Sequence, residues 1–99
     1  MDPAKSDIHI SDVVLSTAGR DQGHWFYVID EDPVYLTLAN GKDRTLEKPK
    51  RKKRKHTRKV LCSETRVADK LRSGDKVLNG ELRRDLAFLA RDTSDNLGG

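Results

Sequence analysis

The sequence predicts a mainly β domain of the α+β class, a small barrel followed by a C-terminal helical hairpin, and three observations point there. Short runs rich in β-branched and aromatic residues, broken by glycine, proline and asparagine, occupy the chain up to residue 62. Beyond that point apolar residues recur at spacings of three and four, the period of an amphipathic helix. Inside the β region, Lys48 to Lys59 reads KPKRKKRKHTRK, too cationic to be core.

At 99 residues, 34% hydrophobic and 36% charged, with a mean hydropathy of −0.79, the chain fits one domain whose few core positions each matter. The one cysteine, Cys62, excludes an internal disulfide and any C-x-x-C metal knuckle, which suits a reducing compartment. No signal-peptide-like or membrane-spanning run is legible, so a soluble intracellular protein without membrane contact is expected.

Taken in order, residues 1–7 are polar and predict a flexible N-terminus. Residues 8–62 make the barrel. Its first strand falls in Ile8 to Ser16, and Gly19 and Gly23 then bracket Arg20, Asp21 and Gln22 in a tight polar loop. The run HWFYVID is a strand in which Phe26 and Val28 face one side and Trp25, Tyr27 and Ile29 the other. After the acidic turn, Val34, Leu36 and Leu38 share a strand face, Asn40-Gly41 signals a hairpin, and a last strand lies within His56 to Cys62. Over 63–91, Ser63 caps a helix whose Val67, Ala68 and Leu71 share a face, and Asn79 caps a second with a Leu82, Leu86, Leu89 stripe. Residues 92–99 are expected to be a flexible tail.

The basic segment, 48–59, carries Lys48, Lys50, Arg51, Lys52, Lys53, Arg54, Lys55, Arg58 and Lys59 with no carboxylate among them. Removing these nine cations from a formal net charge of +4 leaves −5 for the remainder, so the positive charge is one focused feature on an acidic body. Such self-repulsion adds little stability and points to a polyanionic partner, nucleic acid first. A solvated linker or a nuclear import signal matches the same composition.

Val14 to Ile29, VLSTAGRDQGHWFYVI, resembles a KOW motif, the strand, glycine loop, strand signature of SH3-like barrels in ribosomal proteins and NusG-type transcription factors. The continuation LANGKDRTLEKPKRKKRKH is similar to KOW RNA-binding proteins related to large-subunit ribosomal proteins of the L-fourteen-e type, in which a lysine-rich segment follows the third or fourth strand. The resemblance covers Ile8 to Val60 and, more loosely, both helices. It implies an SH3-like barrel with Val14 and Val28 in its core, loop-shaping roles for Gly19 and Gly23, and Arg20 and Lys48 to Lys59 placed against RNA backbone. Gln22 stands where many KOW sequences carry lysine, and Phe26 where many carry glycine.

The expected function is RNA binding, with ribosomal RNA as partner, ribosomal proteins as secondary partners, a cytoplasmic ribosome-associated location and a monomeric state off the ribosome. Phosphates would meet Gly19, Arg20, Gly23, Lys48, Lys50, Arg51, Lys52, Lys53, Arg54, Lys55, Arg58 and Lys59, with His56 beside them. Trp25, Tyr27 and His56 are candidates for base stacking, with core packing the bland alternative for Trp25. The basic segment is expected to be disordered until bound, and Asp30, Glu31 and Asp32 to repel RNA from other faces. No cofactor, metal site or catalytic constellation is expected, since His9, His24, His56 and Cys62 are scattered and no H-E-x-x-H or Walker-type loop occurs. The competing readings are a protein-interaction module presenting the leucine stripe with Phe88, and a NusG-like factor binding duplex nucleic acid. Because a repelling cluster is removed, replacing Lys52, Lys53, Arg54 and Lys55 with serine is expected to leave folding nearly unchanged, to weaken RNA binding and to flatten its salt slope.

Overall fold

Five antiparallel strands and two helices follow in the order β1 (Asp12–Ser16), β2 (Trp25–Glu31), β3 (Tyr35–Ala39), β4 (Lys50–Lys53), β5 (Thr57–Cys62), α1 (Arg66–Ser73) and α2 (Asn79–Gly98). The structure is a computed structural model that describes residues 7–98, with side chains placed through residue 93. The predicted N-terminal segment 1–7 lies outside the described residues except for Asp7. The basic segment is not an unfolded arm: it supplies β4, a 3₁₀ turn at Arg54–His56 and half of β5.

The strand order across the sheet is β4-β3-β2-β1-β5, so the two outer strands are neighbours in sequence. Laid flat, five strands would hold their outer members about 19 Å apart. The chain from Lys53 to Thr57 reaches about 14 Å at full extension, and less through a 3₁₀ turn. The sheet therefore curls. Irregularities between Val13 and Val14 in the β1–β5 ladder and between Val28 and Asp30 in the β2–β3 ladder add the bend. Among the described residues no ladder joins β4 to β5, and the sheet stays open.

Curling gives the sheet two apolar layers. Ile8, Val14, Phe26, Val28, Leu36 and Leu38 form one cluster. Val13, Tyr27 and Ala39 form the other with Val67, Ala68, Leu82, Leu86 and Leu89 of the helices. The alternation predicted along β2 thus holds, and both of its faces are buried, which explains why the run reads as almost continuously apolar. The leucine stripe of α2 packs on the sheet. Lys70 of α1 donates to Glu81 of α2 at 2.8 Å and ties the helices together.

Three local details depart from the sequence reading. The α1 cap is Thr65, whose hydroxyl accepts from Ala68 N, while Ser63 is drawn inward to the Tyr27 hydroxyl at 2.7 Å. Asn79 opens α2, yet its carboxamide serves the 40–49 loop, accepting from Leu46 N and donating to Glu47. The tail expected to fray is drawn into α2 as far as Gly98, since extending a formed helix costs far less than starting one.

Gly41, in the loop between β3 and β4, holds φ at +78°, and a Cβ there would lie 2.2 Å from the Asn79 carbonyl oxygen. Only glycine allows this loop to touch the start of α2. Gly41→Ala is expected to lower stability by more than about 1 kcal/mol, readable in urea unfolding.

The Tyr27 hydroxyl donates to Asp85 and also meets Ser63 and Thr65, while Thr65 itself donates to Asp85 at 2.8 Å. This cluster joins β2, the α1 cap and α2 beneath the surface. Burial, reinforced by the Asp85 carboxylate, pushes the Tyr27 hydroxyl up to about 12 from an ordinary 10.0. A raised acid favours its neutral form in the fold, so its contribution is present below pH 10 and lost as pH climbs toward 12. Tyr27→Phe is expected to cost about 1 to 3 kcal/mol and to remove that alkaline loss, measured as unfolding free energy against pH.

Candidate nucleic-acid interface

The glycine loop, residues 17–24, is built by backbone geometry before any charge enters. Gly19 and Gly23 hold φ at +86° and +90°, a region other residues enter at a cost. A Cβ on Gly23 would touch nothing within 4 Å, so conformation and not crowding demands the glycine. Gly23 N donates to the Ser16 carbonyl at 2.8 Å, and this N–H is engaged within the fold instead of offered to phosphate. Thr17 N donates to the His56 carbonyl at 2.9 Å and fastens the loop to the 3₁₀ turn.

Asp21 binds that loop to the basic strand. Opposite residues of an antiparallel ladder share a face, and Lys50 and Lys52 stand opposite Leu38 and Leu36, so their stems lie on the side of the first apolar cluster. Lys52, 8% exposed, donates from Nζ to Asp21 Oδ1 and to the Ala18 carbonyl, each at 2.9 Å. Ser16 adds a bond to the same Oδ1 at 2.7 Å. Lys50 Nζ stands 3.1 Å from Oδ2 as an ion pair, without the alignment of a hydrogen bond. Burial pushes the Asp21 carboxyl up, but the hydrogen bonds from Lys52 and Ser16 and the adjacent Lys50 ammonium outweigh it and hold the group well below the carboxylate range.

The other half of the basic segment is similarly divided. Arg54, also 8% exposed, donates to the Asp32 carbonyl at 2.8 Å, the Ile8 carbonyl at 2.9 Å and Glu31 Oε1 at 3.0 Å. Burial raises the Glu31 carboxyl, and the Ile10 N–H, His9 and Arg54 reverse it to a net lowering. Arg51 lies over the Tyr35 ring at 4.0 Å and bonds Asp32 at 2.8 Å, and Lys59 reaches Asp12 at 3.3 Å and Asp7 at 3.7 Å. Glu31 and Asp32 are therefore partners of the cations, and the expected repulsive acidic face is replaced at these positions by ion pairing. Lys48, Lys53, Lys55, Arg58 and, in the glycine loop, Arg20 are exposed and have no ion pair among the described residues.

Three depressions among the described residues gather most of these groups, though not Lys48. Arg20 and Lys50 border a cleft of about 310 Å³ together with Asp21, His24, Asp43 and Arg44. Gly23 and Arg58 border a second, of about 260 Å³, with Ser16, Thr17 and Gln22. Lys53, Arg54 and Lys55 flank Pro33 and Val34 in a smaller third, of about 90 Å³. Lys59 stands apart with Asp7 and Asp12, and Lys52 is below the surface. Arg44 was not among the sequence candidates, and its position beside the Asn40-Gly41 turn was the available signal.

Of the stacking candidates, Tyr27 is fully buried and Trp25 packs against the helix-bearing layer, so both serve the core. His56 is half-buried in the 3₁₀ turn. Cys62 is exposed at the end of β5. Among the described residues no helix is long and apolar enough to cross a membrane. Neither models of known protein families nor curated proteins match this chain.

The burial of Lys52 and Arg54 revises the four-serine expectation. Removing one partner of a buried ion pair strands the other charge. Arg54→Ala is expected to cost about 3 kcal/mol, whereas Lys53→Ala and Lys55→Ala stay within about 0.5 kcal/mol. Thermal and urea unfolding of the single variants separates the two groups.

Proposed function

We propose that this chain is a nucleic-acid-binding protein whose ligand is structured RNA. More particularly, it is a KOW-type protein with an open SH3-like barrel that docks on ribosomal RNA in the cytoplasm as a monomer. Support for the fold reading comes from the four-strand meander, the glycine loop between β1 and β2, the 3₁₀ turn after β4 and the return of β5 to β1.

The observation that carries the function is the division of labour among the cations. Lys50, Arg51, Lys52, Arg54 and Lys59 have carboxylate partners, while Arg20, Lys48, Lys53, Lys55 and Arg58 have none among the described residues. The first group braces the fold, and the second is left facing solvent. Unpaired exposed cations on a braced loop and strand present fixed donors to phosphate oxygens. The scaffold is ordered by β4 and the 3₁₀ turn, so binding forfeits less chain entropy than an unfolded arm would. Paired Lys50 and Lys52 hold the site's shape.

Five phosphate contacts on single-stranded segments contribute about −3.5 to the slope of log K against log salt. The combined Lys53→Ser, Lys55→Ser, Arg58→Ser variant is expected to fold normally and to flatten the slope by about 2. Fluorescence anisotropy with a ribosomal RNA fragment, compared with duplex DNA at equal salt, tests this. Tighter binding to the duplex, or an unchanged slope in the variant, refutes the proposal.

A further inference from the structure

The outward face of α2 carries a second cationic surface. At 100° per residue, Arg83, Ala87, Arg91, Arg84 and Phe88 occupy an arc about 140° wide, and all five are exposed. The carboxylates of the first turns are committed elsewhere: Glu81 to Lys70 and the Leu78 N–H, Asp85 to Tyr27 and Thr65. Asp92 falls outside the arc. None of the three arginines has an ion pair within 4 Å among the described residues, in contrast to Lys70 and Arg72 of α1, although the Arg84 charge helps to lower the Glu81 carboxyl from a distance.

Phe88 is 56% exposed at one edge of this arc, one turn from both Arg84 and Arg91, although Leu82, Leu86 and Leu89 already supply the packed face. An exposed aromatic ring flanked by guanidinium groups suits an unstacked base held between phosphates. The stripe is also continuous with the surface described above. Gly41 sits so close to α2 that a Cβ on it would lie 3.1 Å from Arg83 N. The same loop carries Lys42, Arg44 and Lys48, all exposed, and Arg44 borders the cleft shared by Arg20 and Lys50.

Resting on the RNA-binding reading, we infer that the footprint of one RNA runs from the glycine-loop cleft across the 40–49 loop and along α2, where Arg83, Arg84 and Arg91 hold phosphates and Phe88 stacks on an unpaired base. Length matters to this arrangement. A short oligonucleotide filling only the cleft does not reach α2, whereas a structured RNA with an unpaired loop engages both.

The test measures binding of a structured ribosomal RNA fragment and of a short single-stranded oligonucleotide across a salt series. It compares the wild-type chain, a combined Arg83→Gln, Arg84→Gln, Arg91→Gln variant and Phe88→Leu, with circular dichroism and thermal unfolding confirming an intact fold. For the structured RNA, the arginine variant is expected to flatten the salt slope by about 2. Phe88→Leu is expected to lower affinity roughly tenfold with no change in slope. The short oligonucleotide should bind all three alike.

If both variants bind the structured RNA as the wild type does while the Lys53, Lys55, Arg58 variant loses affinity, the α2 surface is refuted and the proposed function stands. If the wild type binds no RNA, both fall. Concentration-dependent dimerisation at high salt that Phe88→Leu abolishes would assign the face to a second copy of the chain and overturn the inference.

Discussion

The carboxylate of Asp21, set between Lys50 and Lys52 and bonded by Ser16, is the contact on which the rest of this surface depends. It converts the mutual repulsion of neighbouring lysines into an attraction and anchors the glycine loop to β4. Without it, Lys52 would be a charge inside a small body with only the Ala18 carbonyl to accept from it. Arg54 performs the same service at the β2–β3 turn, where its guanidinium collects two backbone carbonyls and Glu31. A segment whose composition suggests a solvated tail is folded because each inward-facing cation meets a fixed acceptor.

The curl of the sheet makes those meetings possible. A three-residue connection between the outermost strands forces the ladder to bend, and bending brings distant segments such as Ile8, Glu31 and Arg54 together. The helices then cover the other layer. Because the Tyr27 hydroxyl reaches Ser63, Thr65 and Asp85 at once, sheet and helices share one polar joint inside an otherwise apolar contact. The 40–49 loop closes the arrangement from the side through Gly41 and Asn79.

Much of this architecture was legible in the residues. The alternation in HWFYVID placed Phe26 and Val28 together and Tyr27 opposite, and the leucine spacing from Leu82 to Leu89 identified the packed side of α2. Gly19 and Gly23 marked the loop because their type reports a backbone conformation directly. Which cations are structural was not legible, since pairing with Asp21 or Glu31 is set by the fold and leaves no local pattern around Lys52 or Arg54. Charge density concealed a β-strand for the same reason: propensity treats KRKK as unfavourable, and tertiary acceptors overrule it. Capping was misassigned at Ser63 because a nearby Thr65 offers the same chemistry and the tyrosine hydroxyl competes for the serine.

An open sheet leaves two strands with unfulfilled backbone groups along their outer sides, a hazard that proteins of this size commonly meet by sealing the ladder. Here the solvent-facing positions of the two outer strands include Arg51 and Lys53 on β4 and Arg58 on β5. Another extended chain approaching either rim would have to bring its own strand against that charge. Charge at these flanking positions makes edge-to-edge pairing of an unsealed ladder less favourable.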